Sequence, residues 1–106
     1  MVVSVSFTLI STSDAYAKFN ARSAMKVLKR NDCTKCHSVK KSKNGPSYRK
    51  VSKKYRGKPD AEEKLYKHLT TNPIVELEDG TKEEHKKTDF DSDEQLREFI
   101  RWILTL

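Results

Sequence analysis

No run of about 18 apolar residues occurs in the sequence, which excludes a membrane-spanning helix. Cysteine is scarce, and two residues cannot hold a disulfide-rich scaffold. Apolar residues make up only 35% of the chain, against ~45–50% in globular domains when glycine is counted. Internal repeats, low-complexity segments and strand-hairpin patterns are also missing. At 106 residues there is room for a single domain. A chain this short and polar has difficulty burying enough apolar surface to offset its conformational entropy. Either it is largely disordered, or something not made of amino acids fills its centre. Charge, by contrast, is plentiful: 22 Lys+Arg stand against 15 Asp+Glu, a formal net charge of +7.

The polarity is not evenly spread. Residues 1–17, MVVSVSFTLISTSDAYA, hold no Lys or Arg and a single acid, Asp14. An apolar stretch from Val2 to Ile10 gives way to small and polar residues and then to Ala15-Tyr16-Ala17, the A-x-A pattern of a secretory cleavage site. A β-rich N-terminal strand is the alternative. The basic segment that opens such signals is missing, as expected if the start codon is assigned too far downstream. Cleavage after Ala17 leaves residues 18–106 as a single domain, with 22 basic and 14 acidic residues and a charge of +8. Export predicts a compartment outside the cytoplasm, where thiols are usually oxidised.

The remainder reads as four modest helices. Phe19 to Arg30 carries Ala21, Ala24, Met25 and Leu28 on one helical face. Gly45-Pro46 is a turn and helix start; Tyr48, Val51 and Tyr55 then follow at amphipathic spacing, and Gly57 closes that helix. Asp60 with Glu63 predicts a capping box ahead of Leu65 and Leu69, and Asn72-Pro73 stops the third helix. Residues 73–91 are expected as one long loop with a turn at Asp79-Gly80; a loop of that length is usually functional. Ser92 and Gln95 cap the last helix, whose buried stripe is Leu96, Phe99, Ile100 and Ile103.

Between the first two helices lies Cys33-Thr34-Lys35-Cys36-His37, the C-x-x-C-H signature of covalent haem attachment. Two thiols add to the two haem vinyl groups, and the adjacent imidazole turns onto the iron as proximal ligand. A thioredoxin-like redox pair requires a βαβ context that is missing here. A zinc site requires two further ligands at regular spacing, and His68 and His85 are far apart in sequence. A plain local disulfide leaves the low apolar content unexplained.

The order of a helix, CTKCH, a basic loop, GPSYRKVSKKYRGK, AEEKLYKHL, a loop and SDEQLREFIRWIL resembles the small bacterial class I cytochromes c of the c-551/c-552 type, from about Ala24 to Leu104. The resemblance implies an all-α class I fold, about four helices around one covalently attached haem c, with the first and last helices crossing. It implies that the carbonyl of Pro46 orients His37. It also assigns haem contacts to Tyr48 and Trp102, and a propionate hydrogen bond to His68, an exposed histidine being the alternative.

One feature departs from that pattern. The family places a methionine ligand in the loop before the last helix, and this chain has none there. Met25 lies on the first helix and reads as core filler. His85, seven residues before Ser92, is the replacement candidate; a five-coordinate or water-bound iron, or Lys86 or Lys87 as ligand, are the alternatives. Exchange of thioether for imidazole predicts a reduction potential below the family norm.

Ten basic residues crowd between Lys35 and Lys58. In the resembled fold they flank the haem edge, where they would steer a redox partner with an acidic docking surface. Export and the lack of a binding fold disfavour nucleic acid. The expectation is a periplasmic, non-enzymatic, one-electron carrier, monomeric or a subunit of a larger complex. The alternative is a sensor or subunit that binds NO or CO at an open or displaceable distal site.

Overall fold

The structure is a computed structural model and describes residues 2–6 and 19–106. The expected cleavage site at Ala15–Ala17 lies outside the described residues. Val2, Val3 and Val5 are exposed.

The first helix, α1, spans Ala21–Arg30. Asn20 sets its start, its side-chain oxygen accepting from the Ser23 amide at 3.0 Å. The helix buries Ala24, Val27 and Leu28. That face is turned slightly from the one the sequence predicts: Ala21 is exposed and Val27 points inward. Asp32 then takes a left-handed conformation (φ 56°) that short polar side chains tolerate. It turns the chain sharply into a 3₁₀ turn at Cys33–Lys35, and the His37 amide closes back on the Cys33 carbonyl at 2.9 Å.

Helix α2 spans Tyr48–Tyr55, two residues later than Gly45-Pro46 suggests, because Ser47 provides the cap and accepts from the Lys50 amide at 3.2 Å. Gly57, at φ 85°, ends it in the left-handed conformation that suits glycine. Helix α3 spans Ala61–Thr70. The expected capping box does not form. The Asp60 side chain makes no cap bond and pairs instead with Lys64 at 3.3 Å, while Glu63 reaches across to Arg97 at 2.7 Å. Ion pairing with nearby cations has outcompeted the backbone amides.

The segment expected as an unbroken loop contains a β-hairpin. Strands β1 (Ile74–Glu76) and β2 (Lys82–Glu84) pair antiparallel, with Ile74 opposite Glu84, Val75 opposite Glu83 and Glu76 opposite Lys82. The turn at Asp79-Gly80 is where the sequence places it, with Gly80 at φ 84°. Half-buried Pro73, Val75 and Leu77 alternate with exposed Ile74 and Glu76. This period of two is too short to register against five acids in nine residues. One further bond, from the His85 amide to the Pro73 carbonyl at 2.7 Å, extends the pairing to His85.

Helix α4 spans Asp93–Leu104 and is capped by Ser92, which accepts from the Gln95 amide at 3.1 Å. Its predicted stripe is fully buried: Leu96, Phe99, Ile100 and Ile103. Phe99 and Ile103 pack with Ala24, Val27 and Leu28 of α1 and Tyr48 of α2, as the expected crossing of first and last helices requires. Leu96 and Ile100 pack on Leu65 of α3. Replacing Phe99 by alanine in such a core typically costs ~3–5 kcal/mol.

Candidate haem site

Helices α2, α3 and α4, the hairpin and the C-x-x-C-H segment enclose a cleft of about 440 Å³. Cofactor and small-molecule sites commonly span ~300–1,000 Å³. Cys33, Cys36, His37, Pro46, Tyr48, His68 and His85 all line it. Seven of the eight site residues expected from sequence are therefore brought together. Trp102 is the exception: it does not line the cleft but stacks on Phe99, which does, at 6.0 Å between ring centres. Its contact with the site runs through that ring and through an edge-on approach to Tyr48 at 6.4 Å.

His37 is held from three sides. Its Nδ1 lies 2.7 Å from the Pro46 carbonyl, the contact the resemblance implies. With that nitrogen donating to the carbonyl, Nε2 keeps a free lone pair. The ring stacks on Tyr48 at 5.1 Å and 27°. Behind it stands Gly45, where an added Cβ would lie 2.6 Å from His37 Cε1. Glycine is needed here for close approach, a constraint that the sequence pattern, read only as a turn, does not disclose. The loop is tied by bonds from the Gly45 amide to the Cys36 carbonyl (2.8 Å) and from the Tyr48 amide to the Ser38 carbonyl (2.9 Å).

His85 has a parallel arrangement. Its Nδ1 lies 2.9 Å from the Lys86 carbonyl, which again leaves Nε2 available. The two imidazoles stand 6.2 Å apart between ring centres. Two metal–imidazole bonds of about 2 Å each, plus about 1.2 Å from each nitrogen to its ring centre, sum to about 6.4 Å. The observed separation suits two histidines on one iron. Among the competing ligands, Lys86 is paired with Asp32 at 3.3 Å and Lys87 does not line the cleft. Met25 is packed against the α1–α4 core, as expected of core filler, and does not line the cleft.

His68 stands against His85 at 4.4 Å. Burial, then the neighbouring His85, His37 and Lys54, push its pKa down to about 4. Its protein surroundings therefore act against the protonated form that a propionate partner would favour. Burial also raises the Cys33 thiol and the Tyr48 hydroxyl above their usual ranges.

Several lining residues carry no chemistry and were not singled out from sequence as parts of a site. Val51, Leu65, Leu69, Val75 and Leu77 give the cleft apolar walls. Two thiols, an oriented imidazole, a second imidazole facing it and apolar walls fit a covalently attached haem. The rim is of mixed sign, not uniformly basic. Lys54 and Lys86 lie on it, but so do Glu76, Glu83 and Glu84 of the hairpin.

Comparisons with known proteins agree with this geometry. The cytochrome c family profile matches residues 22–106. Among solved structures, the class 1 cytochrome MtoD from Sideroxydans lithotrophicus ES-1 is similar, with 45% sequence identity and a TM-score of 0.71. The match covers 77% of this chain and 90% of that one. No curated protein matches.

Proposed function

Since the chain belongs to the cytochrome c family, we propose that it is an exported bis-histidine electron carrier whose potential lies below that of its methionine-ligated relatives. Family membership carries the broader statement: this is a class I electron-transfer protein with one haem c attached through Cys33 and Cys36. When bound, the haem supplies a one-electron ferrous–ferric couple.

What the chain adds is placement and tuning. His37 serves as proximal ligand, its ring fixed by the Pro46 carbonyl and the Tyr48 face. His85 serves as distal ligand, its ring fixed by the Lys86 carbonyl. The observation that carries this reading is the 6.2 Å separation of the two imidazoles, each with Nδ1 facing a carbonyl. A second imidazole donates to ferric iron more strongly than a thioether and so lowers the potential. The basic residues of the 38–44 loop and α2 offer a docking face for an acidic redox partner. The leader of residues 1–17 and its cleavage after Ala17 would place the carrier in the periplasm.

The test is spectroscopic. The wild-type ferric protein is expected to be low-spin and six-coordinate, and the ferrous protein to bind CO poorly. His85→Ala is expected to give a high-spin ferric spectrum and ready CO binding. A wild-type protein that binds CO freely would instead support the gas-binding alternative. N-terminal sequencing of the exported protein checks the cleavage site.

A further inference from the structure

The segment between His85 and α4 is gripped by the end of α1. Asn31 is only 2% exposed, yet its side chain is polar. Its amide nitrogen donates to the Asp89 carbonyl at 3.0 Å and to the Val27 carbonyl at 3.0 Å. Its amide oxygen accepts from the Asp89 backbone amide at 2.6 Å. One buried side chain thus satisfies both backbone groups of a residue 58 positions away. Its neighbour Asp32 holds Lys86 at 3.3 Å, and Arg30 adds bonds to the Asp89 carbonyl and the Asp91 carboxylate at 2.8 Å each. Residues 86–89 are therefore held at both ends by two consecutive residues that immediately precede Cys33.

Lys86 also provides the carbonyl that orients His85. We propose that Asn31, assisted by Asp32, is a positioning residue that ties the distal ligand to the haem-attachment segment and keeps the sixth iron position closed to small ligands. This rests on the reading of His85 as distal ligand. Of the two grips, Asn31 carries more. Its side chain is buried and its hydrogen bonds, buried or part-buried, share one rigid amide, whereas the Asp32–Lys86 pair is over half exposed on both sides and contributes little. A loosened 86–89 segment lets His85 leave the iron for a larger fraction of the time. Apparent affinity for a competing ligand rises in proportion to that open fraction.

The experiment measures CO affinity of the ferrous holoprotein, together with the ferric high-spin fraction, in four variants. Asn31→Ala is expected to raise CO affinity by about tenfold or more and to show a ferric high-spin component. Asn31→Asp keeps the acceptor for the Asp89 amide and is expected to give a smaller rise; it stands in if the alanine variant does not accumulate. Ser52→Ala, which removes a part-buried bond to the Leu104 carbonyl that involves no residue of the 86–89 segment, should leave CO affinity unchanged. His85→Ala should give the full opening. If His85→Ala opens the iron while both Asn31 variants bind CO as the wild type does, the positioning role is wrong and the ligand assignment stands. If Ser52→Ala raises CO affinity as much as Asn31→Ala, the effect is general loosening and the proposal fails. If His85→Ala changes nothing, the ligand reading falls and takes this proposal with it.

Discussion

Glycine 45 decides how close the backbone comes to the His37 imidazole. Because a Cβ there would stand 2.6 Å from His37 Cε1, and the ring is held between Pro46 and Tyr48, the ring has no easy retreat. Gly45→Ala is expected to destabilise the holoprotein by ~1–3 kcal/mol in urea unfolding and to shift the ferric spectrum, since overpacking here displaces the His37 ring, the proposed proximal ligand. With His85 as the proposed distal ligand, His85→Met should raise the reduction potential toward the methionine-ligated range, as read by potentiometric titration. A potential unchanged or lowered by that substitution would contradict His85 ligation. At this scale the sequence was highly legible: Cys33, Cys36, His37 and Pro46 announce themselves by spacing and resemblance. Gly45 and Asn31 did not. Close approach and burial are properties of the folded chain, and neither residue type is diagnostic on its own.

Helix ends and strand pairs are governed by local chemistry, and here the sequence was uneven. Ser92 read correctly as the cap of α4, accepting from the Gln95 amide, and Gly57 as the end of α2, although the Gln95 side chain bonds the Asp91 amide and not that of Ser92. Asp60 read wrongly because Lys64 lies within reach. The hairpin was missed because each strand has only three residues, with a single half-buried one in β1 and none in β2. Asn72 offers a test at this scale. It sits just past α3 at φ 51°, immediately before Pro73, a left-handed position that asparagine accepts and alanine does not. Asn72→Ala should lower stability by ~1 kcal/mol, while Asn72→Gly should be neutral or better, as measured by denaturant midpoint at constant m.

Over the whole molecule, a basic α2 and 38–44 loop face an acidic hairpin, and a charge-laced seam joins α3 to α4. In that seam, Arg101 and Arg97 hold the Glu62 carboxyl below its ordinary value of 4.5, and Tyr66 with Arg97 holds Asp93 below 3.8. Depressed carboxyl values contribute stability that is present above the ordinary value and lost as pH falls through the depressed one. Unfolding midpoints should therefore be flat near neutrality and fall below about pH 4.5. Arg97→Met should make that fall shallower. The electron-transfer rate with an acidic partner should decrease as ionic strength rises, and neutralising Lys53 and Lys54 should flatten that dependence. The chain has too few apolar residues to close its own centre, and the cleft walls of Val51, Leu65 and Leu69 leave that centre to the haem.

The hairpin has one more implication. His85 follows β2 directly, and its amide continues the pairing onto Pro73. The placing of its imidazole opposite His37 is thus tied to the register of the hairpin. A slip of one residue in β2 would reverse the faces of the strand and carry the His85 imidazole away from its place opposite His37. The place of the proposed distal ligand is, in that sense, counted off along a strand from the Asp79-Gly80 turn. Inserting a single residue in that turn would act as a frameshift of coordination, with every letter of the site still present.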